Sequence, residues 1–368
     1  MASLVDKAAP EPANAGIGGV AFTLALTVVA GALFLIGRLF VGSGNSYVFF
    51  AGYVVVQYVV LGTAWNILGG YTGYVNFGIT AFFAIGAYST VVLNKLAPVI
   101  PLPVMVLVGG ILAGLVGLGT GYLTLRLRGV FFSIATLALA VVVQTLITNW
   151  DYVGGARGAY VLRPKLAPLI GGDYIEYLCL VMLGLCVIAV ATARAIERSA
   201  LGYGFAAIRD DEAAAEAAGV PTLRLKLIAT TLSGAFMGMA GAPLPFYVAY
   251  LDPASGFSLN YAVNAIAMPL IGGTSSWLGP IVGGVLVGGL QQYVSVTISS
   301  AVNVLITGLL LVTFVILAPQ GIVGVIQARL RRRRCVRCCM SSRSASASAA
   351  SWRCRRSTSR SSRASGSA

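Results

Sequence analysis

The sequence predicts an all-α polytopic membrane protein with about ten transmembrane helices and both termini in the cytoplasm. Three observations lead there. Of 368 residues, 58% are hydrophobic and only 10% are charged, whereas a soluble domain carries roughly 25% charged residues. The apolar residues fall in runs close to the ~20 residues that cross a bilayer. The 45 glycines suit a bundle in lipid, where small residues let helices approach closely.

The elements follow in order. Residues 1–16 carry Asp6, Lys7 and Glu11 and form a cytoplasmic N-terminal segment. They lack a signal-peptide pattern, so the first apolar run, long enough to span, is expected to be retained. Apolar runs lie at 17–40, 47–68, 76–94, 102–125, 129–149, 175–195, 227–250, 258–272, 278–296 and 300–318. The run at 258–272 is short, and with its neighbour it fits a broken or re-entrant pair. The membrane domain thus covers 17–328, interrupted by a charged loop at 197–226, and a basic tail occupies 329–368. The stretch starting at Asn66 with its Gly69–Gly70 pair is matched by Pro269 with Gly272–Gly273, a weak internal repeat of the kind transporter folds contain.

Orientation follows from Lys and Arg near the span ends. Arg126 and Arg128, the cluster Arg194, Arg198, Arg209, Arg224 and Lys226, and the tail all fall on one side, the cytoplasm. One loop departs from the rule. Residues 150–174 hold Arg157, Arg163 and Lys165 yet fall outside, offset in part by Asp151 and Asp173.

The net charge of +14 belongs to the tail. Twelve of the 25 basic residues lie from Arg329 onward with no acid among them, so residues 1–328 hold 13 basic and 11 acidic residues. The tail is Arg, Ser, Ala and Cys without apolar periodicity and cannot bury a core. Two readings fit it: binding to anionic membrane lipid, or the product of a shifted reading frame. Neither gives it a transport role. Cys335 and Cys338 have metal-like spacing, but there is no second pair and the chain has no histidine. No metal or cofactor is expected.

The acids are informative by their positions. None lies between Glu11 and Asp151, between Glu216 and Asp252, or after Asp252. Proton relays and many ion-coupled carriers use intramembrane ionisable groups, which argues against ion coupling. Catalytic and P-loop motifs are also missing from the sequence, so no enzyme or ATPase site is expected. Uphill transport would then draw its energy from another subunit, docked on the cytoplasmic side.

The loop at 197–226, ERSALGYGFAAIRDDEAAAEAAGVPTLRLK, is the only richly charged stretch before the tail. Its alanines and glutamates favour helix, and Asp210 to Glu212 place negative charge in a first turn. Gly219 and Pro221 are a stop signal. The expectation is a two-turn helix over Asp210–Gly219 with a small apolar face of Ala214, Ala215 and Ala218. Such a helix fits a groove on a partner; a solvated connector helix is the competing reading.

This loop resembles the EAA loop of ABC importer permeases, through Arg209, Asp210, Glu212, Ala214, Ala215 and Gly219. The broad pattern has Glu directly before the two alanines, and the one-residue difference is closer to the branched-chain amino-acid (LIV-type) permease family. Further stretches resemble that family in order: LGTAWNILGGYTGYVNFG from Leu61 to Gly78, LRLRGVFFSIATL from Leu125 to Leu137, VGGARG from Val153 to Gly158 (Val153 replacing Thr), Ile271–Thr274 with Gly279–Pro280, and Ala318–Ile322. The resemblance covers roughly 50–325, and the tail matches nothing in it.

The resemblance implies a permease subunit of an ATP-driven importer in the bacterial or archaeal cell (inner) membrane. Its partners would be ABC ATP-binding subunits, a sister permease and a periplasmic or lipid-anchored substrate-binding protein, with no nucleic acid. Candidate pathway residues are Asn66, Gly69, Gly70, Asn76, Asn264, Gly272 and Gly273. Close helix packing explains the glycines equally well, and interhelical hydrogen bonding explains the amides, which need partners in lipid. An apolar, uncharged pathway suits a branched-chain or related amino acid. It also suits a urea- or amide-type solute, and an ion-coupled carrier without an ATPase is the reading from outside the family.

Overall fold

The structure, a computed structural model, describes residues 15–41, 47–124, 130–163, 174–297 and parts of 305–325. Residues 1–14, Arg126 and Arg128, Lys165, most of the run at 300–318 and the tail lie outside the described residues.

The described residues are mostly helical. The helices are α1 (Ala15–Val41), α2 (Tyr47–Trp65), α3 (Ile79–Leu96), α4 (Leu102–Thr124), α5 (Val130–Thr148), α6 (Tyr174–Glu197), α7 (Ala200–Asp210), α8 (Glu212–Ala217), α9 (Thr222–Gly241), α10 (Leu244–Val248), α11 (Pro253–Gly256), α12 (Leu259–Gly272) and α13 (Leu278–Thr297). Among the described residues seven helical stretches are long and apolar enough to cross a membrane, and this is a polytopic membrane protein. The strands β1 (Ala159–Tyr160) and β2 (Tyr250–Leu251) form a two-residue antiparallel ladder.

One expected span is corrected and one is found as expected. The run at 227–250 begins earlier, at Thr222 just after Pro221, and its first helix ends at Gly241; Pro243 then opens the short α10. Lys226 is thereby drawn inside a helix instead of ending the loop. The run at 258–272 is a 14-residue helix with Pro269 inside it, about 21 Å at 1.5 Å per residue and short for a bilayer. It is preceded by β2 and the single-turn α11.

Helices α2, α3 and α9 form the centre. Tyr53, Leu61, Phe83, Ala229 and Met237 have no exposed surface. Glycine permits this closeness: a β-carbon at Gly86 of α3 would sit 1.8 Å from the Gly238 carbonyl of α9. Around this centre, α1, α4 and α5 turn large apolar side chains outward, among them Val28, Leu33, Ile111, Leu115, Phe131 and Val141. In water such faces would aggregate; in a bilayer they meet lipid.

Contacts at the helix ends give each helix a direction. At one end, the loop end, Gly70 meets Arg209, Trp277 meets Glu197 and Phe22, and Gly321 lies against Gly273. At the other end Lys95 donates to the Tyr152 carbonyl and the β1–β2 ladder joins residues 159–160 to 250–251.

Candidate functional site

Beneath the loop, α2 does not end cleanly. Asn66–Gly70 continue it as a π-helical turn, helix stops after Thr72, and residues 73–77 are unwound before α3 begins at Ile79. The sequence explains the break. Gly73 takes φ +78°, open to glycine at no steric cost. The Asn76 Oδ1 accepts from the Gly78 N–H at 2.7 Å, closing a local turn.

Unwound backbone inside a bundle must find other partners, and here side chains supply them. Trp65 Nε1 donates to the Asn76 carbonyl at 3.1 Å, and Ser133 Oγ to the Val75 carbonyl at 2.8 Å. Phe77 N–H donates to Thr136 Oγ1 at 3.1 Å, and Arg209 Nη1 to the Gly70 carbonyl at 3.2 Å. The aliphatic stem of Arg209 also underlies Gly73, where a β-carbon would sit 3.1 Å from Cγ. Helices α2, α5 and α7 thus all grip the break.

The loop itself is α7, a one-residue hinge and α8. Asp211 caps α8, its carboxylate accepting from the Ala213 and Ala214 N–H groups at 2.9 and 3.1 Å. Gly219 reverses the chain at φ +85°, and Thr222 Oγ1 donates to Glu216 at 2.8 Å. The expected helix over Asp210–Gly219 is therefore corrected to Glu212–Ala217. Asp210 ends the preceding helix, because Asp211 competes for the cap. The expected apolar face divides too: Ala215 is buried against the bundle, while Ala214 and Ala218 are exposed. A single apolar position per turn is all that so short a helix can bury.

Glu212 points inward. It forms an ion pair with Lys226 of α9 and accepts from the Tyr74 hydroxyl. Lys226 Nζ also donates to Tyr74 Oη at 2.7 Å and lies 4.2 Å from that ring's centroid. The side chains of Lys226 and Glu212 are 2% and 17% exposed, whereas Asp210 is 79% exposed. The loop thus has an inner face tied to the break and an outer face of Asp210, Ala214, Ala218 and Gly219.

A family model described as "Branched-chain amino acid transport system / permease component" matches residues 46–315. The chain belongs to this family. It is 29% identical over 301 residues (74% of this chain, 69% of the relative) to the high-affinity branched-chain amino acid transport system permease protein LivM of Escherichia coli (strain K12). The probable branched-chain amino acid transport permease protein LivH of Methanocaldococcus jannaschii is 25% identical over 273 residues, covering 70% of this chain and 85% of its own length. The L-arabinose ABC transporter permease protein AraH of Azospirillum brasilense is 28% identical over 220 residues, 58% of this chain and 62% of its own. No solved structure matches. These relatives are named as transport permeases, not as enzymes.

In the permease, the two glycine-pair segments of the weak repeat meet. A β-carbon at Gly70 would lie 2.8 Å from the Thr274 carbonyl, in the turn that follows Gly272–Gly273. Gly272 is packed against Gly279, with 1.8 Å left for a β-carbon, and Gly273 takes φ +118°. Gly69 lies under the Trp65 ring. Glu197 closes this corner by accepting from the Trp277 N–H at 2.9 Å.

The three asparagines divide. Asn66 is buried and neither of its amide atoms has a hydrogen-bond partner; Asn76 leaves its Nδ2 without one. Asn264 lies apart from them, donating to Tyr58 Oη at 3.2 Å and accepting from Gln291 Nε2 at 2.8 Å. It joins α2, α12 and α13. Six of the seven candidates therefore gather at the loop end, and the seventh is an interhelical clamp.

Sequence reasoning missed Lys226 and Tyr74. The signal for Lys226 was present: Thr222, Lys226, Ala229, Thr230 and Ser233 recur at helical spacing and are all buried, so a lysine sits on the inward stripe. Tyr74 carries no such signal, because it lies in unwound chain.

Proposed function

We propose that this permease is the membrane-spanning subunit of an ATP-driven importer for branched-chain or related amino acids. Paired ABC ATP-binding subunits would dock on the outer face of the loop, beside a sister permease and an external substrate-binding protein. The observation that carries this reading is the two-faced loop. A solvated connector would not need a carboxylate held inside by a buried lysine while Ala214 and Ala218 stay outside.

Ten crossings with both termini cytoplasmic go with this reading. The long described helices α1 to α6, α9, α12 and α13 alternate in direction between the two ends, and Gly321 lies against Gly273 at the loop end. At the other end Arg163 donates to the Phe246 and Tyr247 carbonyls and Lys95 to that of Tyr152. Arg163, one of the loop cations that depart from the charge rule, thus serves in structural hydrogen bonds.

The test is co-purification of the tagged permease with its ATP-binding subunits. Ala214→Arg with Ala218→Arg adds bulk and charge to the outer face only. Association and ATP-driven uptake should fall at least tenfold while membrane insertion is unchanged. Wild-type association in this double variant would sink the docking assignment.

A further inference from the structure

We propose that Lys226, with Glu212 and Tyr74, forms an internal joint that carries movement of the loop to the unwound segment at 73–77. The inference deepens the docking reading above and depends on it.

Lys226 is the one buried charged residue among the described residues. Burying a charge costs several kcal/mol, and well-packed apolar residues of similar volume usually serve stability as well or better. What the pair adds over an apolar contact is direction and reach. Its three members sit on three different elements: Glu212 on α8, Lys226 on α9 and Tyr74 in the break. If α8 moved alone, the buried Lys226 ammonium would lose its counter-charge and the Tyr74 hydroxyl its acceptor, which is costly. The joint therefore moves as a unit.

The strengths of the other ties decide where the movement goes. Towards α5, the break is held by the two neutral hydrogen bonds of Ser133 and Thr136 and the edge-on contact of Tyr74 with Phe132. Towards the loop, Tyr74 is held by charge-assisted bonds, donating to Glu212 and accepting from Lys226, and Arg209 donates to Gly70 just before the break; such bonds are roughly twice as strong as neutral ones. A displacement of the loop thus pulls the break with it and gives way first on the α5 side. Asn76 lies in the break and Asn66 in the π-helical turn that precedes it, the two buried amides among the described residues with unused hydrogen-bonding atoms.

The test uses the full complex in nanodiscs, with native cysteines replaced by serine. Spin-label distances are measured from Tyr160→Cys at the far end to Ala217→Cys on α8, and separately to Val75→Cys in the break. All three positions are exposed. ATP with vanadate should shift both distances in the otherwise unchanged chain. In the Glu212→Gln/Lys226→Met double variant, which removes both charges together and spares the fold, the shift at Ala217 should persist. The shift at Val75 should shrink at least threefold. Equal Val75 shifts in both backgrounds would overturn the joint. So would loss of ATPase association in the double variant, because the pair would then shape the docking face instead of transmitting from it. No shift at Ala217 in the unchanged chain is a different failure, that of the docking reading.

Discussion

The two ends of the bundle are held by different kinds of bond. At the far end the chain closes on itself through backbone: β1 pairs with β2, Val161 N–H donates to the Ala249 carbonyl, and the Gly154, Gly155 and Gly158 turns are fixed by left-handed conformations. Tyr250 Oη and Arg163 donate to main-chain carbonyls as well. At the loop end the chain is unwound, and side chains from neighbouring helices hold it. Backbone ladders resist rearrangement because many bonds must break together. Side-chain ties can exchange partners one at a time. The comparison teaches that the far end is built as a fixed frame and the loop end as a part that can shift against it.

The largest test of that contrast is a double-mutant cycle on the buried pair. Lys226→Met alone leaves the Glu212 carboxylate facing a dry site and should cost about 3–5 kcal/mol, and Glu212→Gln alone a comparable amount. Removing both should recover most of the loss, since neither charge is then stranded. Denaturant unfolding in detergent, followed by tryptophan fluorescence, reads the cycle. Additive losses would mean that the two residues do not share one site, and the loop end would not be organised as described.

The next test separates stability from transport at the same end. The Asn66 amide has no partner, and leaving a polar group unsatisfied costs about 1–3 kcal/mol. Asn66→Leu, close in volume, should therefore raise stability by up to that amount while reducing uptake in reconstituted vesicles severalfold. A variant both less stable and less active would mean that Asn66 is a packing residue.

Much of this contrast was legible in the sequence. Apolar runs placed α1 to α6 within a few residues, because lipid-facing helices need length and little else. The loop stood out by charge alone, and Gly219 is a readable stop residue. Three features were not legible. The end of one helix at Asp210 depends on which of two adjacent aspartates wins the cap, a contest that composition does not decide. The inward turn of Glu212 depends on Lys226 and Tyr74, 14 and 138 residues away in sequence. And the different uses of Asn66 and Asn264 depend on whether tertiary packing brings a Tyr58 or a Gln291 within reach.

The smallest expected effect sharpens the far end. Asp252 caps the short α11, and its carboxylate accepts from the Ser255 hydroxyl and the Ser255 N–H. The hydroxyl above all, with the backbone N–H groups, holds the carboxyl below its usual range against a small opposing burial effect. A folded-state pKa lowered in this way means that the unfolded chain binds more protons in the intervening window. The contribution is fully present above the ordinary aspartate value of about 3.9 and is lost as pH falls through the folded one. Ser255→Ala should therefore lower the unfolding temperature slightly at pH 7, and the difference from the unchanged chain should vanish as pH drops below about 4. Because the frame end is closed mainly by backbone, losing this one cap should leave the β1–β2 ladder and uptake intact. If uptake fell with it, the far end would be part of the moving machinery, and the division between frame and joint would have to be redrawn.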